Sequence, residues 1–173
     1  KSSLIIFSFL SMSVSFLQSG DISFSYVPIQ EQGRIKPLET FAKNHLLLFY
    51  GKRNIKSLDN EQIDIEAIDW LAQLLTNPSQ ELNQKLFYIS NWSNSPEVET
   101  GLNLDGRESH LYSFYEILDG FRQNQELLDN LKSKSEDTYS IVEKQIVDIY
   151  SKLVLLDEIA HSFTCFIPVF EIN

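Results

Sequence analysis

The sequence predicts a small, mainly α-helical domain with a long packing helix toward its C-terminal end and only minor short strands. The first observation behind this prediction is a stripe of apolar residues whose spacings alternate between four and three, which places them on one face of a helix. The second is a pair of earlier stretches in which apolar residues at helical spacing lie between helix start and stop signals. The long stripe consists of Val142, Ile146, Ile149, Leu153, Leu156, Ala160 and Phe163.

The first twenty residues differ from the rest of the chain. Lys1 precedes a run rich in Leu, Ile, Phe and Ser from Leu4 to Leu17, and the small pair Ser19-Gly20 follows it. This order is typical of a signal peptide, but the run could equally be the outer end of a membrane span, and a buried core segment is a third alternative. The first two interpretations place residues 21–173 across a membrane. We expect these residues to form a single extracytoplasmic domain, as a fragment of a longer chain.

The next thirty residues predict an extended lead-in, a turn and the first helix. The lead-in runs from Asp21 to Gln30, and Glu31 to Arg34 has the composition of a turn. Pro37 suits the first turn of a helix because its missing N–H costs nothing there, and Gly51 suits the position after the last turn. The apolar face between them consists of Leu38, Phe41, Ala42, His45, Leu48 and Phe49.

A second helix is expected after a polar loop from Lys52 to Gln62. Asp64 opens this helix, and Asn77-Pro78 ends it because a residue before proline avoids the helical conformation. Trp70 lies away from the centre of the apolar stripe. The stripe consists of Ile65, Ile68, Leu71, Ala72 and Leu75.

The middle of the chain carries weaker signals. Lys85 to Ile89 is a brief aromatic and apolar run that could form a strand. Asn91 to Arg107 is predicted to be loop because Pro96, Gly101 and Gly106 interrupt it.

Two further helices are expected before the long one. Ser113 and Glu116 have the spacing of a capping box, so a third helix begins there and ends near Gly120 or Phe121. Glu126 to Lys132 predicts another. The long helix that follows is expected to lie across its neighbours, with a coiled coil as the alternative, and Phe166 to Ile172 is expected to be extended.

Composition and charge exclude several classes of function. The formal net charge of −10 and the pI near 4.7 argue against nucleic acid and against an anionic membrane surface as partners. Cys165 is the only cysteine, which excludes internal disulfides and covalent haem attachment through a cysteine pair. No catalytic or phosphate-binding motif is recognisable. We therefore expect a domain that is not an enzyme and binds no cofactor by itself.

The histidines are the candidate metal or haem ligands. His45 lies on an apolar helix face, which is typical of a hydrogen-bonded core histidine, and His110 lies in a polar loop beside Arg107, which indicates a surface residue. His161 and Cys165 are four apart, but two ligands do not make a metal site. We expect none of these residues to bind a metal.

The segment Pro28 to Ala42 stands out in this acidic chain. It contains a turn through Gly33 that brings Arg34 and Lys36 immediately before a helix started by Pro37. Fixed cations beside helix N–H groups can hold an anion. The alternative is that both cations pair with the excess carboxylates.

This segment resembles the pattern P-[VI]-Q-x-x-G-R-[IV]-K-P-L-x-T-x-A of membrane-bound cytochrome c biogenesis proteins of the CcsA/ResC type. The residues in register are Pro28, Gln30, Gly33, Arg34, Lys36, Pro37, Leu38, Thr40 and Ala42. Weaker similarity follows in order as far as Leu118. It includes Phe49-Tyr50-Gly51, Ala67 to Leu71, Gly101-Leu102 and Tyr112-Ser113-Phe114.

In that family such a segment belongs to an extracytoplasmic region attached to a bundle of membrane helices that handles haem. The resemblance thus implies a periplasmic location at the inner membrane and a role in cytochrome c maturation. It implies membrane helices of the same or a partner protein, or apocytochrome c, as partners. The family's Trp-rich haem motif is not matched, since Trp70 and Trp92 are isolated. The interaction motif expected from the resemblance is Pro28, Gln30, Gly33, Arg34, Lys36, Pro37 and Thr40. The alternative function is that of an exported helical scaffold that binds another envelope protein through its long helix and is unrelated to haem.

Overall fold

The computed structural model describes residues 24–31, 33–56, 64–89 and 95–162. Within those ranges the chain forms seven α-helices and three pairs of short antiparallel strands, which confirms the predicted fold class. The helices are α1 (Leu38–Tyr50), α2 (Ala67–Thr76), α3 (Pro78–Glu81), α4 (Ser95–Gly101), α5 (Phe114–Gln123), α6 (Gln125–Ser133) and α7 (Ile141–His161). The strand pairs are β1 (Pro28–Glu31) with β2 (Arg34–Pro37), β3 (Asn54–Ile55) with β4 (Ile65–Glu66), and β5 (Phe87–Tyr88) with β6 (Leu111–Tyr112). The expected leader at residues 1–20 and the expected extended segment at 166–172 lie outside the described residues.

The turn predicted between Glu31 and Arg34 is the tip of a β-hairpin. Glu31 is paired with Arg34 across the two strands, and Pro28 is paired with Pro37 at the open end. Gly33 has a φ of 75°, a left-handed conformation that glycine adopts without steric cost. The hairpin continues directly into α1, so its position is fixed by that helix.

Helix α1 begins and ends where the sequence predicts. Pro37 is its N-cap, and Gly51, with a φ of 79°, donates its N–H to the Leu47 carbonyl at 3.0 Å. The predicted apolar face was wrong at one position, because Leu48 is 40% exposed and Leu46 is fully buried instead. The buried face of the helix therefore includes Leu46, which packs into the core, and excludes Leu48.

Helix α2 begins later than predicted. Ile65 and Glu66 pair with Asn54 and Ile55 as a short antiparallel ladder, so the helix starts at Ala67 and not at Asp64. The position of Trp70 was also misjudged, since its side chain is only 3% exposed and its ring lies 6.3 Å from that of Phe49. The aromatic contact brings the indole into the centre of the buried face.

Helix α4 occupies part of the stretch that was predicted to be loop. Its Val98 is fully buried, as is Leu102 immediately after its end, and the helix packs against α7. Pro96 falls in the first turn of the helix and Gly101 is its last residue. These two residues therefore mark the ends of a short helix, although they were predicted to prevent helix formation.

Capping boxes start helices α5 and α7. Ser113 accepts from the Glu116 N–H at 3.2 Å, and the Glu116 carboxylate accepts from the Ser113 N–H at 2.8 Å, as predicted. The same arrangement of Ser140 and Glu143 starts α7. Helix α6 confirms the weaker prediction for residues 126–132.

Helix α7 is the long packing helix. It contacts α2, α4 and α5, which come from three separate parts of the chain. Six of its residues are buried in one continuous core: Ile146, Ile149, Leu153, Leu156, Ile159 and Ala160. The stripe is therefore used inside the domain, as expected for a helix that lies across its neighbours, while the last predicted member, Phe163, lies outside the described residues.

Gly120 allows α5 to approach the chain after α4. A Cβ atom at this position would lie 2.2 Å from the Leu102 carbonyl oxygen, a distance that requires the backbone to shift. We expect Gly120→Ala to destabilise the protein by about 1–3 kcal/mol, measured by urea unfolding followed by circular dichroism. The control is Gly101→Ala, whose Cβ would meet only the Ile146 side chain at 3.8 Å. A neutral Gly120→Ala variant would contradict the close approach.

Candidate functional site

The hairpin places nearly all of the predicted interaction residues at the surface. Pro28, Gln30, Gly33, Arg34, Pro37 and Thr40 are exposed, and Lys36 is half-buried. Ile35 belongs to the same surface and is 78% exposed, although it is a large apolar residue. Arg34 lies at the exposed tip, on the face of the hairpin that carries Glu31 and Lys36. We call the opposite face, formed by Pro28, Gln30, Ile35 and Pro37, the outer surface of the hairpin. Their side chains add little to the core, so folding alone does not account for this set.

The two cations of the motif have different environments. Lys36 forms an ion pair with Glu31, and both side chains are 23% exposed. Arg34 is exposed at the tip and forms no ion pair with any residue that the structure describes. Of the two alternatives left open by the sequence, pairing with a carboxylate therefore applies to Lys36, and exposure to solvent applies to Arg34.

His45 lies beneath the hairpin and joins it to α1. Its side chain is buried, its Nδ1 lies 2.9 Å from the Phe41 carbonyl, and its Nε2 lies 3.4 Å from Glu31 Oε1. Its ring also packs on Phe41 with 3.9 Å between centroids. His45 is therefore the hydrogen-bonded core histidine that its helix face predicts.

Glu31 is the residue that sequence reasoning missed. Its carboxylate contacts both Lys36 and His45, so it links the second strand to α1. A two-residue turn containing Gly33 would have placed Glu31 opposite Arg34 and diagonal to Lys36, which is within reach of a long side chain. The spacing of Glu31 and Lys36 thus indicated their ion pair, but the contact of Glu31 with His45 depends on how the hairpin folds over α1.

A pocket of about 410 Å³ lies between β1, α1, α2 and α7. We call it the hairpin pocket. Its polar lining residues are Glu31, His45, Glu158 and Ser162, and the rest of the lining is apolar. Its size falls in the range of about 300–1,000 Å³ that small ligands and inserted side chains occupy.

A second polar cluster surrounds Glu99, which lies in α4 within the stretch predicted to be loop. His110 was expected at the surface, but its Nδ1 lies 2.7 Å from the buried Glu99 carboxylate, and its backbone has a φ of 50°. Burial, helped by the nearby Glu99 carboxylate, raises the pKa of Tyr112 well above its ordinary value. The Tyr112 hydroxyl donates to the Asp105 carbonyl at 2.8 Å. These contacts fix the connection between α4 and β6, which is a structural role.

Arg107 clamps the start of α5 from the same connection. Its guanidinium donates to both oxygens of Glu116, at 2.5 and 3.1 Å, and lies 4.9 Å from the centre of the Tyr112 ring. The bonds from Arg107, together with the N–H of Ser113, lower the pKa of Glu116 to about 2. The capping carboxylate is thus kept ionised.

The remaining described candidate ligand, His161, is paired within its own helix. The Nδ1 of His161 lies 3.1 Å from an oxygen of Asp157, and Cys165 lies outside the described residues. In the described ranges no group of three or more His, Cys, Asp or Glu residues is placed to hold a metal ion. In the same ranges no helix combines the length and the apolar character needed to cross a bilayer.

The Arg107–Glu116 pair predicts a defined dependence of stability on pH. Because the pKa of Glu116 is lowered in the folded state, its contribution is present above about pH 4.5 and is lost as the pH falls toward 2. We expect Arg107→Gln to remove about 1–2 kcal/mol of this contribution at pH 7, allowing for solvent screening, and to flatten the stability curve between these pH values.

The control for this experiment is Arg122→Gln, which removes an exposed pair with Asp119 at 3.4 Å. Urea unfolding of the three proteins at several pH values provides the comparison. Parallel curves for the wild type and Arg107→Gln would show that the clamp does not keep Glu116 ionised.

Comparisons with known proteins leave the family undetermined. No protein-family model matches the chain, and no curated protein or solved structure is found to be similar to it. The resemblance to cytochrome c biogenesis proteins therefore remains a prediction from the sequence motif.

Proposed function

We propose that the chain is a non-catalytic extracytoplasmic domain of a cytochrome c maturation protein, docked through its hairpin on haem-handling membrane helices. These helices belong to the same protein or to a partner, on the periplasmic side of the inner membrane, and apocytochrome c is a second candidate partner. The observation that carries the proposal is the exposure of the motif on the outer surface and at the tip of the hairpin. The exposed residues of the motif contribute little to the hydrophobic core, so their side chains are available for an interaction.

The chemistry of the outer surface supports a protein contact. Ile35 offers an apolar side chain, and the two prolines restrict the backbone on either side. At the adjacent tip Arg34 offers a guanidinium that forms no ion pair with any described residue. An arginine beside exposed apolar groups can bind a carboxylate, including a haem propionate or an acidic side chain, through two parallel hydrogen bonds. The hairpin is held on α1 through Glu31 and His45, so the surface is rigid before binding.

The position at which the described chain begins also supports the proposal. Phe24 lines a pocket beside α2, and the run 4–17 that precedes it in the sequence is rich in apolar residues. A domain that directly follows such a run suits attachment to a membrane at this end.

The alternative predicted from the sequence is an exported scaffold that binds another envelope protein through its long helix. Such a scaffold would need the apolar stripe of α7 at the surface. Ile146 and Leu153 are instead 2% and 3% exposed, because α2, α4 and α5 cover them. The geometry therefore favours the hairpin as the interaction surface.

The interaction is tested by Arg34→Ala in the full-length protein. An exposed residue without an ion pair contributes little to folding, so the level of protein in the membrane is expected to stay normal. The yield of mature c-type cytochromes, measured by haem staining, is expected to fall several-fold.

The matched control is Arg53→Ala, which removes another exposed arginine far from the hairpin tip in sequence. We expect it to leave the cytochrome yield unchanged. A normal yield with Arg34→Ala at normal protein level would assign Arg34 to ordinary surface charge and contradict the proposed docking surface.

The proposal also places haem ligation elsewhere in the parent system. We expect the full chain, purified without partners, to show no haem Soret band after addition and removal of free haem. A band that persists and disappears in His45→Ala but not in His161→Ala would make His45 a ligand and contradict this assignment.

A further inference from the structure

Glu81 is a buried carboxyl group that takes part in neither the hairpin nor the Arg107 clamp. It is the last residue of α3, it is only 6% exposed, and it lines a cavity of about 20 Å³. A cavity of this volume holds about one water molecule, which is fewer than a carboxylate binds in solution. The charged form of Glu81 therefore loses most of its hydration in the folded protein.

No charged group of the described chain replaces this hydration. Helices α1, α2, α5 and α7 and strand β5 all contribute residues to the cavity lining, and none of those residues is ionisable. The contributed residues are Leu46, Phe49, Trp70, Leu74, Phe87, Phe114 and Leu156. The one polar neighbour in the lining is Gln84, whose Nε2 donates to Glu81 Oε1 at 2.8 Å. Burial consequently raises the pKa of Glu81 above its ordinary value, and the bond from Gln84 opposes this only in part.

The position of Glu81 links its charge to the packing of α5. The next residue, Leu82, is 2% exposed, and its carbonyl accepts from the Phe114 N–H at 3.1 Å. Phe114 is the first residue of α5. A carboxylate that moves toward water pulls the end of α3 outward, so it disturbs both the burial of Leu82 and the bond to Phe114.

We propose that Glu81 is a pH-sensitive switch, which holds α3 and the start of α5 against the core while it is protonated and lets them move away when it ionises. Because its pKa is raised in the folded state, its contribution to stability is fully present below about pH 4.5 and is lost as the pH rises through the folded-state pKa. Glu116 has the opposite dependence, since its contribution is lost as the pH falls. The switch does not depend on the proposed role in cytochrome c maturation.

Trp70 reports on the switch because it lines the same cavity. Trp92 is the other tryptophan of the chain, so the variant Trp92→Phe leaves Trp70 as the only one. In this variant of the full chain we expect the Trp70 emission to shift to longer wavelength between about pH 4.5 and about pH 8, because ionisation of Glu81 admits water to the cavity. Adding Glu81→Gln should abolish the shift, whereas the matched change Glu126→Gln, at an exposed position of α6, should retain it.

A shift that persists in Glu81→Gln would overturn the proposal. It would assign the transition to another group, such as His45, whose ring lies 6.1 Å from that of Phe49 in the cavity lining. Urea unfolding gives a second measurement. The ratio of folded to unfolded protein should fall several-fold more in the wild type than in Glu81→Gln over the same pH range, and an equal fall in both would also overturn the proposal.

Gln84→Met tests the same carboxyl group without altering it, so it decides the question even if Glu81→Gln does not fold. The Gln84 amide donates to the carboxylate and stabilises its charged form, so removing the amide raises the pKa of Glu81 further. The Trp70 transition should therefore move to higher pH in Gln84→Met. A transition at the same or a lower pH would overturn the proposal.

Discussion

Burial of the α7 stripe is the constraint on which the rest of the domain depends. Helices α2, α4 and α5 come from distant parts of the chain, and each packs against this one helix. Leu153 and Ile146 supply apolar surface to several partners at once, so their burial joins the halves of the chain. Because hydrophobic burial is the dominant favourable term in folding, the other elements can be short and still hold their positions. Gly120 is one consequence, since only a residue without a side chain permits the approach of α5 to Leu102.

The hairpin has a different relation to this core. It lies over α1, and the contacts of Glu31 with Lys36 and His45 fix it there with polar groups more than with apolar burial. A half-buried ion pair resists displacement because breaking it leaves a carboxylate poorly solvated. The strand alternation turns Ile29 and Glu31 toward the pocket and Ile35 into water, while Arg34, on the same face as Glu31, is exposed at the tip. The Glu31 carboxylate thus fixes the position of the hairpin on α1.

The parts of the fold that the sequence predicted are those governed by local signals. Capping at Ser113, the stop at Gly51 and the long heptad stripe depend on residues within one or two turns of each other. The parts it missed depend on contacts between distant residues. The start of α2 moved because Ile65 pairs with Ile55, and the environment of His110 changed because the chain returns to Glu99. Neither pairing has a sequence pattern that periodicity could reveal.

The candidate site follows the same division. Exposure of Arg34 could be predicted, since a hairpin tip in an acidic chain has no apolar neighbour to cover it. The pairing of Lys36 with Glu31 was also within reach of the residue spacing, but the contact of Glu31 with His45 was not, because it depends on how the hairpin folds over α1. The environments of the two cations matter for function: a cation already bonded to a carboxylate must give up that bond to bind a partner, whereas Arg34, which pairs with no described residue, gives up only water. Of the two cations in the motif, Arg34 therefore has the larger net free energy available for recognition, and Lys36 serves mainly to hold Glu31 in place.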